Sequence, residues 1–153
     1  TASLMASCCA NGAISAGVSA ERVAMMKEFG TNLGIAFQIR DDLFDYQPSS
    51  VIGKPTGNDI KEKKLTLPLI YSLSVADSRE SKRVLNLIRH HSKKSSTISE
   101  VVDFVNKNGG MDYTVRQMNL FRDKSLEILR SFPESDYRNS LELLTNFVVD
   151  RKK

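Results

Sequence analysis

The amino-acid sequence predicts an all-α protein, and three of its features lead to that fold class. Strict alternation of apolar and polar residues is almost absent, whereas apolar residues recur three and four positions apart along nearly every segment. Two prolines and two glycines fall within residues 47–58, a stretch that interrupts this pattern. Hydrophobic residues make up 41% and charged residues 26% of the 153 positions, as expected for one globular domain.

The first two predicted helices are rich in small residues. Helix one is expected over residues 1–16, where regularly spaced alanines, with Gly12 and Gly17, allow close packing against a neighbour. Ser19 is the expected N-cap of helix two, which ends near Tyr46.

The next stretch, residues 47–58, contains two prolines and two glycines and is predicted to form a mobile loop. Further helices are expected at 65–75, 77–91, 99–107, 111–132 and 135–150. Pro68 suits the first turn of its helix, and Gly109 suits a helix C-terminus. The core residues expected from the last two helices are Val115, Met118, Phe121, Leu126, Leu129, Phe132 and Phe147.

Charge distribution, hydrophobicity and cysteine content argue against a nucleic-acid-binding protein, a membrane protein and a disulfide-bonded protein. The net charge is +4, but lysine and arginine are interspersed with acids, so we expect no nucleic-acid partner. No apolar run approaches the roughly 20 residues that span a bilayer, so we expect no membrane span. Cys8 and Cys9 are adjacent and predict packing residues rather than a disulfide framework, which fits a cytoplasmic protein. His90 and His91 are interpreted as a solvated helix end.

Three aspartates, Asp41, Asp42 and Asp45, lie close together at the end of the predicted second helix. At about 100° per residue, one face of that helix carries Gly30, Gly34, Gln38, Asp41 and Asp45. We interpret this face as a cavity wall ending in a magnesium site, because Mg²⁺ is usually held by one or two carboxylates together with substrate phosphates. The alternative is a solvated acidic edge. The spacing fits neither an EF-hand nor a zinc site.

Charged residues downstream of the aspartates favour a diphosphate site. Lys54 lies on the predicted loop, Asp59 follows it, and Lys64 precedes the next helix. Alternating acid and base suit a diphosphate, since Mg²⁺ bridges carboxylate to phosphate while lysines bind the remaining oxygens as point charges. An ordinary charged surface loop is the alternative.

Several short motifs occur in order between residues 1 and 73. They are Thr1-Ala2-Ser3-Leu4, Gly12-Ala13, Phe29-Gly30, Leu33-Gly34, Phe37-Gln38, Asp41-Asp42-x-x-Asp45, Gly53-Lys54-x-x-Gly57-x-Asp59 and Lys64-x-Thr66-x-Pro68. This set resembles the C-terminal half of a trans-polyprenyl diphosphate synthase. The resemblance implies that residues 1–153 are the C-terminal helices of a single helical bundle of the isoprenoid synthase type.

The resemblance implies a Mg²⁺-dependent prenyltransferase that elongates a chain. In this family, metal ions bind the diphosphate of an allylic substrate and draw it away. The double bond of isopentenyl diphosphate attacks the resulting cation, and loss of a proton completes the five-carbon extension. By the same resemblance, Asp41 and Asp45 bind metal, Asp42 supports them, and Asp59 holds a metal-bound water.

Catalytic and substrate-binding residues also follow from the resemblance. The expected catalytic residues are Asp41, Lys54 and Lys64, and the expected substrate contacts are Thr1, Phe37, Gln38, Lys54 and Lys64. The two lysines would contact the departing allylic diphosphate. Phe37 and Gln38 would line the pocket beside the prenyl tail, and Thr1 would lie near the reacting carbons. The basic residues 151–153 resemble a tail that closes over isopentenyl diphosphate in some members, and a solvated basic end is the alternative.

Two parts of the family's active site are missing from the sequence, namely a second aspartate-rich motif and the upstream basic residues that bind isopentenyl diphosphate. We therefore expect a truncated piece of a homodimeric enzyme, inactive or nearly so alone, whose missing N-terminal half completes the site. The alternative is a non-catalytic binding or regulatory subunit of a heteromeric prenyl synthase. A terpene cyclase is disfavoured, because its usual second motif is an Asn/Asp, Ser/Thr, Glu arrangement.

Overall fold

The computed structural model describes residues 1–47 and 57–151, and within these ranges the chain forms helices and no strand. In chain order the helices are α1 (Ala2–Ser15), α2 (Ala20–Phe44), α3 (Asn58–Lys61), α4 (Leu67–Val75), α5 (Ser78–His91), α6 (Ser95–Lys107), α7 (Gly110–Arg130) and α8 (Asp136–Asp150). The all-α prediction is confirmed. Across the described part of the chain, no helix combines the length and apolar character that crossing a membrane requires.

Local capping chemistry explains several helix boundaries. Ser19, Asp77 and Ser135 each accept a hydrogen bond from a backbone N–H two or three residues further on, at 2.8 to 3.4 Å. Such side chains satisfy N–H groups that the first turn of a helix leaves unpaired. Pro68 lies in the first turn of α4, and Gly109, at φ +70°, follows the end of α6. The predictions for Ser19, Pro68 and Gly109 are therefore confirmed.

One helix boundary and one whole helix differ from the prediction. Helix α6 begins at Ser95 rather than residue 99, because Thr97 is only 3% exposed and its burial holds the serine-rich start in a helix. The short helix α3 was not predicted, since it depends on hydrogen bonds from a residue distant in sequence. Most of the predicted mobile loop, residues 48–56, lies outside the described residues.

One compact unit comprises residues 1–40 and 116–151. Its core contains Phe29, Leu33, Leu129 and Val148. In this unit α1 packs against α2 through glycines: an added Cβ would lie 2.6 Å from the Met5 carbonyl oxygen at Gly30 and 2.5 Å from Ala2 Cα at Gly34. The cavity-wall interpretation is therefore wrong at both glycines, because the backbone of α1 fills the space beside them.

Several expected core residues of α7 and α8 are confirmed, and two are wrong. Val115 on α7 is 38% exposed, because the neighbouring Thr114 takes the buried position in that turn. Met118, Leu126 and Leu129 are buried in α7. Phe147, however, is 63% exposed, since α8 buries its Thr145, Val148 and Val149 face instead. Apolar residues occur around most of this helix, so its pattern alone did not identify the buried face.

The second compact unit contains residues 41–115. Its core is formed by Tyr46, Ile60, Leu69, Val84, Ile88, Val101, Phe104 and Val105. Tyr46 and Ile60 belong to the segments that carry the predicted metal ligands, and both are buried in this core. The acidic segments are therefore anchored by apolar burial on their inner side.

Candidate functional site

The aspartates of the candidate site lie where α2 ends. Asp41 and Asp42 are in its last turn, and Asp45 follows after Phe44, where the backbone closes a turn through the Tyr46 N–H bond to the Leu43 carbonyl at 3.2 Å. The three carboxylates are partly buried rather than fully solvated. This partial burial favours a built site over the simple solvated edge that the sequence left as an alternative.

Asp45 joins the end of α2 to α3. Its Oδ1 accepts a hydrogen bond from the Asn58 N–H at 2.8 Å, and its Oδ2 accepts one from the Asp59 N–H at 2.9 Å. Its carbonyl oxygen accepts a further bond from the Gly57 N–H at 2.9 Å. A carboxylate is favoured here because the first N–H groups of a helix are otherwise unpaired. The result is that Asp59 is held beside the aspartates of α2.

Asp42 and Tyr46 join the same segment to the start of α4. The Leu67 N–H donates to Asp42 Oδ2 at 3.3 Å. The buried Tyr46 hydroxyl and Thr66 Oγ1 form a hydrogen bond at 2.9 Å. Together with the Asp45 contacts, these bonds connect three segments that are separate in sequence.

Negative charge accumulates at this site. Burial raises the pKa of Asp42, and the Leu67 N–H offsets part of that rise, while Asp59, Asp41 and Asp45 raise it further. Burial likewise raises the pKa of Asp45, against the lowering effect of its backbone hydrogen bonds, and Asp59 adds to the rise. Carboxylates in this environment are stabilised in their charged form by a nearby cation.

Lys64 is the cation that the structure places at the acidic cluster. Its Nζ lies 3.4 Å from Asp59 Oδ1 and 2.6 Å from Glu62 Oε2. Hydrogen bonds to Glu62 and Asp59 raise its pKa, so it remains charged at neutral pH. The sequence predicted that Lys64 lies near the acidic residues, and its distance from Asp59 agrees with that prediction. Lys54, the other lysine predicted for this site, lies outside the described residues.

The donor set fits magnesium shared with a phosphate ligand. Among residues 1–47 and 57–151, no three His, Cys, Asp or Glu side chains converge closely enough to hold a metal ion by themselves. Mg²⁺ does not require such a cage, since it keeps waters and commonly uses one or two carboxylates plus substrate phosphates. Asp41, Asp42, Asp45 and Asp59 offer oxygen donors of this kind.

The remaining predicted site residues lie in the first unit. Thr1 is the exposed N-cap residue of α1, and Gln38 is exposed on α2. Phe37 is partly buried, and the Arg151 guanidinium lies 3.9 Å from the centre of its ring. Arg40 donates two hydrogen bonds, at 3.1 and 2.6 Å, to the Arg151 carbonyl oxygen.

Sequence reasoning missed the contacts that fix these residues. The Arg151 contacts with Phe37 and Arg40 span more than a hundred residues, and no local pattern encodes them. The helix that carries Asp59 had a weak signal, because Gly57 can adopt its φ of +75° at an N-cap and Asn58 suits a first turn. Of the basic tail, only Arg151 lies within the described residues.

Comparison with known proteins identifies related chains. The family model described as polyprenyl synthetase matches residues 1–105. Hexaprenyl pyrophosphate synthase, mitochondrial, of Saccharomyces cerevisiae is 35% identical over 155 aligned residues, which cover 100% of this chain and 32% of that protein. Solanesyl-diphosphate synthase 2, chloroplastic, of Oryza sativa is 32% identical over 152 residues, which cover 99% of this chain and 36% of that protein.

Solved structures agree with these relatives. Geranylgeranyl pyrophosphate synthase from Bacteroides thetaiotaomicron superposes with a TM-score of 0.89 at 36% identity, covering 99% of this chain and 50% of that one. Polyprenyl synthase from Caulobacter crescentus, solved in complex with calcium and isoprenyl diphosphate, gives a TM-score of 0.86 at 32% identity, covering 98% and 46%. This chain thus spans about a third to a half of the proteins it matches. It belongs to the polyprenyl synthetase family.

Proposed function

We propose that this chain supplies the part of a prenyltransferase active site that binds the allylic diphosphate through Mg²⁺. The reaction is the extension of that diphosphate with isopentenyl diphosphate by a polyprenyl diphosphate synthase. One observation carries the proposal: Asp45 and Asp42 hydrogen-bond the starts of α3 and α4 to the end of α2, so that Asp59 lies in the same region as the aspartates of α2. The related structure with calcium and isoprenyl diphosphate supports a divalent cation and a diphosphate as ligands.

A carboxylate at this site can accept backbone hydrogen bonds and still bind a metal ion. A carboxylate offers about four lone-pair positions. The Asp45 carboxylate accepts backbone N–H bonds from Asn58, Asp59 and Ile60, and it therefore retains one position for a metal ion or a metal-bound water. Asp41 precedes these contacts in the last turn of α2, and we assign it and Asp45 as the main metal ligands. Asp42 and Asp59 support them.

Positive charge at the site acts on the departing diphosphate. Magnesium, when bound, supplies charge that neutralises the diphosphate as its bond to the prenyl carbon breaks. Lys64 would add a second cation, exchanging its Asp59 and Glu62 contacts for phosphate oxygens. Such fixed charges stabilise the transition state more than the ground state, because negative charge grows on the leaving group. We also propose the substrate contacts that the family resemblance implies for four further residues, namely Lys54, Thr1, Phe37 and Gln38.

Turnover of the assembled synthase tests this proposal. Replacing Asp41 with alanine is expected to lower the rate of isopentenyl transfer by about a hundredfold or more, since a ligand to the leaving-group metal is lost. Asp103→Ala is the matched control, because Asp103 is exposed on α6 in the same unit. Turnover near that of the wild type in the Asp41→Ala enzyme would refute the assignment.

A non-catalytic subunit of a heteromeric synthase gives a different result in the same experiment. In that case the catalytic aspartates belong to a longer partner chain, and activity of the complex does not depend on Asp41. Co-purification of such a partner, with unchanged turnover in the Asp41→Ala complex, would support the subunit role.

A further inference from the structure

A second cluster of basic residues lies in the unit formed by residues 41–115. It surrounds a cavity of about 300 Å³ lined by Lys63, His90, His91, Ser92, Lys93 and Lys94. Both histidines are exposed in the last turn of α5, as predicted. The same cavity is also lined by Lys63, from the segment after α3.

A partly buried hydrogen bond holds the two basic segments together. Ser92, which follows α5 and is 3% exposed, donates its hydroxyl proton to the Lys61 carbonyl oxygen at 3.0 Å. The backbone then turns through the Lys94 N–H bond to the His91 carbonyl at 3.0 Å. The backbone segments that carry the basic residues are therefore held next to each other by the fold.

Lys63 occupies a backbone position that usually holds glycine. Its φ is +60°, in the left-handed region. The Lys63 N–H bonds to the Ile60 carbonyl at 3.0 Å and the Lys64 N–H bonds to the Asp59 carbonyl at 2.8 Å, which is the pattern of a helix end with a left-handed residue. A Cβ in this conformation costs free energy that glycine avoids. Lysine at this position therefore lowers local stability relative to glycine, and it places a basic side chain at the cavity.

Among the residues that the structure describes, no acid pairs with the basic groups around the cavity. Within the described ranges, none of the lysines or histidines that line it forms an ion pair. Glu62, the chain neighbour of Lys63, pairs with Lys64 instead at 2.6 Å. Lys63 also borders an adjoining cavity of about 210 Å³, where Leu65 and Leu85 are 49% and 38% exposed and Arg89 adds another cation.

We propose that this basic cavity binds the phosphate group of an anionic ligand, using residues other than the aspartate cluster. Lysine ammonium groups and imidazole N–H groups are suitable donors for phosphate oxygens. Two sources present such a group, namely free phosphate or diphosphate and the headgroup of an anionic phospholipid. The exposed leucines beside the cavity suit the lipid source, because they would contact its acyl chains.

Binding measurements on the 153-residue chain test the proposal. Titration calorimetry in EDTA uses inorganic phosphate and then diphosphate, so that no metal-dependent binding at the aspartates contributes. Co-sedimentation uses vesicles of phosphatidylcholine with and without phosphatidylglycerol. Lys63→Gly is expected to weaken whichever interaction is observed by about tenfold, the effect of losing one charge-assisted contact. Lys27→Ala is the matched control, since it removes an exposed lysine of α2 in the first unit.

Lys63→Gly is a suitable variant because it is not expected to unfold the chain. Glycine adopts the left-handed conformation without a Cβ, so its unfolding temperature should equal or exceed that of the wild type. Lys93→Ala leaves that turn unchanged and is expected to weaken binding similarly. Binding of free phosphate or diphosphate identifies the soluble source, and selective binding of phosphatidylglycerol vesicles identifies the lipid source. Absence of binding to every probe, or equal loss in Lys27→Ala, would overturn the proposal.

Discussion

The hydroxyl of Tyr46 is a single polar group on which the geometry of the aspartate segment depends. It pairs with Thr66 Oγ1 at 2.9 Å, and both residues are buried. Replacing Tyr46 with phenylalanine leaves the threonine hydroxyl without this partner, so we expect the free energy of unfolding to fall by about 1–3 kcal/mol in urea titrations. Tyr137→Phe, at a residue 86% exposed, should change it little.

A companion variant separates the hydrogen bond from packing effects. Adding Thr66→Val to Tyr46→Phe removes both polar partners, and we expect part of the lost stability to return because no buried hydroxyl is left unpaired. Unchanged stability of Tyr46→Phe alone would show that the bond does not hold this segment.

The carboxyl of Asp42 makes stability depend on pH. Burial and the neighbouring carboxylates raise its pKa in the folded chain, so the folded state binds the proton more tightly than the unfolded state. Its contribution therefore becomes more favourable as pH falls from neutral through the raised pKa, and it levels off below the unfolded value of about 3.9. In metal-free protein, Asp42→Asn should flatten this dependence in urea unfolding curves. Identical pH profiles for the two chains would contradict this.

At the scale of single residues, sequence reasoning identified the charged groups but not their supporting bonds. Asp41, Asp42, Asp45 and Asp59 form a recognisable pattern because their spacing is local. The contacts of Asp45 with the start of α3, and of Asp42 with Leu67, join segments 13 to 25 residues apart and depend on tertiary structure. The role of Lys63 likewise required its backbone conformation to be known.

At the scale of elements, the contact between α1 and α2 depends on glycine. A Cβ at Gly30 would meet the Met5 carbonyl oxygen at 2.6 Å, whereas a Cβ at Gly12 would meet nothing within 4 Å. We expect Gly30→Ala to lower the free energy of unfolding by about 1–3 kcal/mol through overpacking, or by more if α1 is displaced. Gly12→Ala should raise it by up to about 1 kcal/mol, because alanine favours the helix.

Thermal unfolding of the two variants measures this contrast directly. If Gly30→Ala proved as stable as Gly12→Ala, the close approach of the α1 backbone to Gly30 would not contribute to stability.

Helix positions themselves were predictable, since caps such as Asp77 and Ser135 act locally. The start of α6 and the whole of α3 were not, because burial and distant hydrogen bonds determine them.

At the scale of the whole molecule, the sequence indicated the family because its motifs are ordered over residues 1–73, and the family model matches residues 1–105. The later helices retain the fold with fewer recognisable motifs, and the solved relatives cover nearly the whole chain. The cytoplasmic location and the homodimer stay predictions. Two relatives bear the names chloroplastic and mitochondrial, and compartment is not a property of the shared helical fold.

The central claim is that the aspartates at the end of α2 bind diphosphate through Mg²⁺. Titration calorimetry of diphosphate into the Lys63→Gly chain tests it most directly, because that background reduces binding at the basic cavity. We expect binding in Mg²⁺ that disappears in EDTA, and we expect Asp41→Asn to weaken it at least about tenfold, while Asp103→Asn leaves it unchanged. Equal Mg²⁺-dependent affinity in the Asp41→Asn and Asp103→Asn chains would contradict the claim.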